Sequence, residues 1–222
     1  MKILTIFYIL MPVSIYLAFL YAPPAQGLGE ASRIIYFHVP LAWNATLAFI
    51  ISGVLSIIYL YDKEKRFKLI EEKAHNSAMI GLLFTVLTII TGSIWAKISW
   101  GIYWNWDPRE TSIIILLLIY IAYFSLHSAL ADNPNKARLT SSFLIFAMTT
   151  VPFFVFVVPR IYSSLHPDPI INPENKMNMD GRMLITLLIS LTSFTLFYFH
   201  LFVMQNRISK IKQYIEEKNH EE

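Results

Sequence analysis

The chain has 222 residues, contains no cysteine and is poor in charged residues, which make up 15% of it. Without cysteine, no disulfide exchange and no thioether attachment can occur on this chain. The charged share lies well below the roughly 25% of soluble domains, whereas 55% of the residues are hydrophobic and the mean hydropathy is +0.51. This composition excludes an ordinary soluble domain and indicates an integral membrane protein.

Charged residues are also nearly absent from six apolar runs, each close to the roughly 20 residues that cross a hydrocarbon core. We therefore predict an all-α integral membrane protein in which 1–222 forms a single domain of six transmembrane helices. The first run is longer than the apolar part of a secretory signal, so we expect a retained helix. The runs lie at 3–21, 41–61, 77–96, 112–131, 139–158 and 182–204.

The positions of the basic residues predict the orientation, because cytoplasmic loops are rich in Lys and Arg. With the N-terminus inside, twelve of the 18 basic residues fall in inner segments. We therefore expect both termini in the cytoplasm, including a polar tail at 205–222. Attraction to anionic lipid accounts for the net charge of +3, so the bilayer and not nucleic acid is the expected partner. The other six basic residues are Arg33, Lys97, Arg109, Arg160, Lys176 and Arg182.

All five tryptophans fall at the predicted outer face. An aromatic belt is the simpler interpretation of each one, since amphipathic rings favour membrane interfaces. A belt marks both faces, however, and the predicted inner face has no tryptophan. The rings concentrated in the outer loop at 98–111 also suit a flat hydrophobic ligand. The five residues are Trp43, Trp95, Trp100, Trp104 and Trp106.

The end of this loop carries the signature of a helix start. Asp107 is placed as the N-cap, Pro108 as the first helical residue and Glu110 as the third, which predicts a capping box. The two carboxylates therefore have a structural interpretation, and contact with a ligand or partner stays open as the alternative. If 100–104 is helical, three rings share one face as a stacking shelf, namely Trp100, Tyr103 and Trp104.

Two histidines, His38 and His166, are predicted in outer loops, whereas the other four lie near or beyond the inner face. Imidazole is a common axial ligand of haem iron, and two such loops could approach a planar ring from opposite sides. Taken singly, each is more simply a solvated side chain. Pro40 is expected in the first turn of the second helix, and the chain after His166 is expected to be stiffened by Pro167, Pro169 and Pro173.

These segments resemble the tryptophan-rich WWD signature of the haem-handling membrane proteins of cytochrome c maturation. The signature is carried by GSIWAK at 92–97 and by WGIYWNWDPRETS, which begins at Trp100. RIIYFHVPLAW around His38 and VPRIYSSLH, which ends at His166, are similar to the CcmC branch. The DPRET ending also resembles the longer CcsA-type relatives of the same superfamily.

The resemblance implies that the outer loop presents haem, with His38 and His166 as the two axial ligands of its iron. Haem b would be held non-covalently and transiently on a platform of Trp95, Trp100, Tyr103, Trp104, Trp106 and Asp107. Because they lie on the same predicted face, Arg33, Arg109 and Arg160 could pair with its propionates; contact with lipid phosphate stays open for Arg109, and a place at the end of the fifth helix for Arg160. The implied partners are a membrane-anchored haem chaperone, ABC-type ATPase and permease subunits, and a small single-helix subunit.

The expected function is the binding and presentation of haem in the cytoplasmic membrane rather than catalysis, although a lyase-like role stays open. Two other classes also stay open: a permease subunit of an ABC-type exporter that binds no cofactor, and a secondary transporter of a small solute. The apolar runs contain no Asp or Glu, which disfavours the transporter. No GxxxxGK[ST] loop is present, so any ATP use requires another chain.

Overall fold

The computed structural model describes residues 4–62, 69–166 and 179–221, and every regular element in these ranges is a helix. The predicted all-α class is therefore confirmed. Short 3-10 or π-helical turns precede or extend some helices, at Leu4–Ile6, Leu17–Tyr21, Glu30–Ile34 and Phe153–Val157. The α-helices are α1 (Phe7–Tyr16), α2 (Ile35–Tyr61), α3 (Ile70–Trp100), α4 (Pro108–Ala129), α5 (Lys136–Pro152), α6 (Val158–Ile161) and α7 (Gly181–Glu221).

Within the described ranges, five helical segments are long and apolar enough to cross a membrane, and the chain is an integral membrane protein. The first predicted run corresponds to a shorter apolar helix, Phe7–Tyr21. Pro12 and Pro152 lie inside α1 and α5. The five long segments are Glu30–Tyr61, Ile70–Trp100, Pro108–Ala129, Lys136–Ile161 and Gly181–Ile215.

The second helix begins earlier than predicted, at Ile35 instead of residue 41. Pro40 therefore lies inside α2 and not in its first turn, which corrects the sequence prediction. A proline has no N–H for the carbonyl four residues before it, here that of Tyr36. Ser190 of α7 donates its hydroxyl to this carbonyl. The helix can continue through the proline because a neighbouring helix satisfies the freed backbone group.

The last helix, α7, continues to Glu221, so the polar tail predicted at 205–222 is a helical extension of the last span where the structure describes it. Its polar side chains pack on the beginning of α3. The Asn76 amide donates to Asn206 Oδ1 at 2.9 Å and to Ser209 Oγ at 3.0 Å. These contacts explain why a charged sequence stays helical and attached to the bundle.

The bundle is held together by small residues and aromatic rings at the helix contacts. The Ser77 hydroxyl of α3 donates to the Ala48 carbonyl of α2 at 2.7 Å. Phe49 and Tyr120 stack with ring centroids 3.5 Å apart, which joins α2 to α4. Gly53 lets α5 approach α2, because a Cβ at this position would lie 2.4 Å from the Cβ of Met148. Such close backbone approaches are typical of membrane helix pairs.

We expect Gly53→Ala to lower the free energy of unfolding by about 1–3 kcal/mol, because the added methyl group overlaps Met148 and forces α2 and α5 apart. Thermal unfolding in nanodiscs measures the change. Gly181→Ala is the matched control, since a Cβ there has no atom of the described residues within 4 Å. Equal unfolding temperatures for the two variants would contradict the close packing of α2 on α5.

Candidate functional site

One end of the bundle carries Trp95, Trp100, Trp104 and Trp106, and we call it the tryptophan end. α3 stops here because Gly101 adopts a left-handed conformation with φ +84°. The Gly101 N–H donates to the Lys97 carbonyl, and the Lys97 ammonium donates back to the Gly101 carbonyl at 2.8 Å. The helical turn considered for 100–104 is therefore wrong, and the shelf that depended on it does not form.

The rings of the tryptophan end form two edge-to-face pairs instead. Trp95 and Trp100 have centroids 4.8 Å apart, and Trp104 and Trp106 have centroids 5.9 Å apart. Trp106 has a positive φ of 62° and is 71% exposed. Tyr103 is also exposed and lies beneath the ammonium group of Lys97. The loop thus presents apolar rings at its surface. Trp43 is separate from these pairs and donates its indole N–H to Thr195 of α7.

Asp107 caps α4 as predicted. Its carboxylate accepts the Arg109 N–H at 2.9 Å, and the Glu110 carboxylate accepts the Asp107 N–H at 3.3 Å, which completes the capping box. Glu110 also accepts the Asn105 N–H at 2.9 Å. Both carboxylates are buried. The acidic start of α4 therefore fixes the conformation of the loop before it.

Asp107 has a second contact that the sequence analysis did not find. Its carboxylate accepts the Ser164 hydroxyl at 2.8 Å and the Leu165 N–H at 2.7 Å. The His166 Nδ1 lies 2.9 Å from the same carboxylate. A cap near the middle of the chain thereby holds the segment that follows α6. In the sequence, this contact is indicated only by Ser164 of YSSLH, whose hydroxyl lies two residues before His166.

Hydrogen bonds and charges shift the pKa values of this pair. Burial raises the pKa of Asp107. The hydrogen bonds from Arg109, Leu165 and Ser164 and the nearby His166 lower this pKa by more than burial raises it, so the net shift is downward. Burial lowers the pKa of His166, the Asp107 carboxylate raises it and Arg109 lowers it, with a net downward shift. At neutral pH the pair is therefore an ionised carboxylate beside a neutral imidazole.

The His166 ring also contacts both tryptophans of the first pair. Its centroid lies 5.6 Å from that of Trp95 and 5.0 Å from that of Trp100. Because Trp95 and Trp100 belong to the last turns of α3, His166 packs against the end of this helix. The prolines predicted to stiffen the chain after it, at 167, 169 and 173, lie outside the described residues.

His38 packs against the same end of α3. It lies in the first turn of α2 and not in a loop, because α2 begins before it. Its Nδ1 is 3.0 Å from the Thr91 hydroxyl, and its ring covers Gly92, where a Cβ would lie 2.9 Å from Cε1. Gly92 and Trp95 are one turn apart on α3, so His38 and His166 contact neighbouring turns of the same helix.

The three predicted propionate-binding arginines lie in different surroundings. Arg33 donates to Glu30 and to the carbonyls of Ala18 and Ala22, so it caps the first helical segment. Arg160 donates to the Phe156 carbonyl at 2.7 Å. Arg109 is close enough to His166 for its charge to act on that ring. Of the three, Arg109 is thus the one whose charge acts on a candidate ligand.

We expect Asp107→Ala to lower the free energy of unfolding by about 1 kcal/mol or more, through loss of the cap, and to accelerate hydrogen exchange of the Leu165 amide. Asp107→Asn should keep most of the cap, since asparagine is also a good N-cap. Ser112→Ala is the control on the same helix, because its hydroxyl has no hydrogen-bond partner in the part of the chain that the structure describes. Unchanged exchange at Leu165 in Asp107→Ala would refute the tether.

Known proteins are similar to this chain over nearly its whole length. A model of the family described as CcmC, heme exporter protein C, matches residues 1–221. The heme exporter protein C of Bradyrhizobium diazoefficiens is 34% identical over 202 residues, which cover 90% of this chain and 75% of that protein. The protein of the same name from Haemophilus influenzae is 29% identical over 208 residues, which cover 92% and 82%.

A ccmC-like mitochondrial protein of cytochrome c biosynthesis from Marchantia polymorpha is 32% identical over 210 residues, which cover 95% of this chain and 87% of that protein. These matches extend over both candidate histidines and the loop between them. The resemblance to the CcmC branch is confirmed, and the chain belongs to the heme exporter protein C family.

Proposed function

We propose that the chain binds haem at the tryptophan end and presents it for the assembly of c-type cytochromes. The names of its relatives, which refer to haem export and to cytochrome c biosynthesis, support this proposal. The structural observation that carries it is the placement of His38 and His166 against one end of α3, beside the Trp95–Trp100 pair. Haem is the cargo of this site and supplies the iron to be ligated.

The hydrogen bonds of the two histidines fit this role. A neutral imidazole that donates from Nδ1 keeps its lone pair on Nε2, the atom that binds iron. The Asp107 carboxylate is a pure acceptor, so His166 donates to it from Nδ1. In the arrangement we propose, the Thr91 hydroxyl gives its own proton to the Leu87 carbonyl at 2.8 Å and accepts from His38 Nδ1. Both rings then have the tautomer that leaves Nε2 for the metal.

The surroundings of the two rings suit a flat apolar ligand with an acidic edge. Ile102, Tyr103 and Trp106 are 50%, 61% and 71% exposed, which leaves apolar surface for haem to cover. Trp100 and Trp104 stand beside this surface, and Arg109 would pair with a propionate. Asp107 is buried and bonded to the protein, so its proposed role is to hold His166 and not to touch the haem.

We further propose the membrane arrangement that this function requires. The shorter helix Phe7–Tyr21 would add a sixth span to the five long ones, with both termini in the cytoplasm and the tryptophan end at the outer face of the inner membrane. Haem b would be bound non-covalently and passed to a membrane-anchored chaperone. The ABC-type ATPase and permease subunits and a small single-helix subunit would be partners of this complex.

An absorption spectrum of the purified protein tests the proposal. We expect the bands of low-spin haem in the wild type, and a fall in haem affinity of at least about tenfold in His38→Ala and in His166→Ala, which corresponds to about 1.4 kcal/mol. His200→Ala is the control, because His200 bonds Tyr8 away from this site. A wild type that stays colourless after haem is added would favour a permease subunit or a small-solute transporter instead.

The close approach of His38 to α3 generates a second test. Gly92→Ala places a methyl group 2.9 Å from the ring of His38, so the ring must move and haem affinity should fall about tenfold. Alanine also favours helix over glycine by about 1 kcal/mol, so unfolding of α3 would not explain the loss. Ser93→Ala, which adds no atom, should bind haem normally. Full affinity in Gly92→Ala would contradict the proposed position of His38.

A further inference from the structure

We propose that the two histidines are unequal ligands: His166 holds the iron firmly, and His38 is the ligand that leaves first when haem is handed on. This inference rests on the proposed function and concerns the order of release. It comes from a difference between the groups that accept the two Nδ1 protons. One acceptor is the carboxylate of Asp107, and the other is the hydroxyl of Thr91.

The His166 side carries a full negative charge next to the ring. A hydrogen bond to an ionised acceptor is roughly twice as strong as a neutral one. It also shifts electron density toward Nε2 and makes the imidazole a stronger donor to a metal. Asp107 cannot turn away from the ring, because the cap of α4 and the Leu165 amide hold its carboxylate in place.

The other donors to Asp107 act in the opposite direction. The Arg109 and Leu165 amides and the Ser164 hydroxyl share the charge of the carboxylate and weaken its bond to the imidazole. They redistribute this charge but do not remove it. The Thr91 hydroxyl brings no charge at all, so the Asp107 side remains the more strongly polarised one.

The His38 side is oriented but not strengthened. The groups that bond the His38 ring are both uncharged: the Thr91 hydroxyl, 3.0 Å from Nδ1, and the backbone of Thr88. Thr91 is therefore a positioning residue, which fixes the tautomer and direction of His38 without adding to its basicity. Gly92 also helps to position His38, because a residue without a side chain allows the ring to pack directly on α3.

The order of release follows from this difference. The bond between the iron and His38 Nε2 breaks first, its electron pair stays on Nε2, and the proton on His38 Nδ1 stays there, hydrogen-bonded to the Thr91 oxygen. A neutral nitrogen ligand supplied from outside then occupies the vacated position. No proton is transferred and the oxidation state of the iron does not change. His166 keeps the haem on the protein until the receiving ligand is in place.

Haem binding by single-histidine variants tests this order in nanodiscs, with added imidazole as the replacement ligand. We expect His38→Ala to retain haem about tenfold more tightly than His166→Ala. The remaining ligand has a charged partner in the first variant and a neutral one in the second, and changing such a partner typically alters metal affinity by at least about tenfold. Imidazole should restore the low-spin spectrum of His38→Ala more fully. Asp107→Asn keeps the cap. When it is added to each histidine variant, the difference in haem affinity between the two should become smaller.

Variants of Thr91 separate positioning from general packing. Thr91→Val should make imidazole displace His38 from wild-type haem about tenfold more readily, and Thr91→Ser, which keeps the hydroxyl, should restore the normal value. Thr85→Val is the matched control: the Thr85 hydroxyl is buried on the same helix and bonds the Gly81 carbonyl. An equal effect of Thr85→Val and Thr91→Val would overturn the role of Thr91.

A measurement on the haem-free protein is independent of haem binding. Nitrogen-15 and proton NMR should place the Nδ1 proton of His166 further downfield than that of His38, with the difference removed in Asp107→Asn. Equal proton shifts, or equal haem loss in the two histidine variants, would overturn the inequality and leave the proposed function intact. A wild type that binds no haem would overturn the proposed function, and the order of release with it.

Discussion

The tryptophan end depends on the buried carboxylate of Asp107. A buried charge is costly unless donors surround it, and here they come from the first turn of α4 and from the segment after α6. Because these donors are more than 50 residues apart in sequence, the satisfaction of one charge fixes the position of a distant loop. His166 is placed by this interaction, and the tryptophans of α3 then pack on its ring.

The parts of the fold that the sequence predicted are those set by local chemistry. Apolar runs predicted five of the spans, although three of these extend well beyond the predicted bounds, to Glu30, Ile70 and Ile215, and the Asp107–Glu110 pattern predicted the capping box. The start of α2 was missed because Pro40 suggested a helix beginning. The Tyr36 carbonyl freed by this proline is satisfied by Ser190 of α7, a contact between distant parts of the chain that no local pattern reveals.

The sequence predicted which residue types form the candidate site, but not the residues that contact and orient them. The aromatic loop and the two histidines stand out in the sequence, yet Thr91, Gly92 and Ser164 became relevant only when α2, α3 and the segment after α6 were brought together. Arg33 also has partners that its sequence context does not indicate, because its guanidinium caps the carbonyls of Ala18 and Ala22 at the end of the first helical segment.

A carrier that passes on its cargo faces opposing demands, since each 1.4 kcal/mol of binding free energy gained is a tenfold stronger hold and, at a fixed association rate, a tenfold slower release. Two equally strong axial ligands would bind haem tightly but would slow its release to the next protein. In the proposed site, a charged partner supports one ligand and a neutral partner orients the other. Under this proposal the exchange would proceed one bond at a time, and the rings of α3 would keep contact with the haem while the second ligand is replaced.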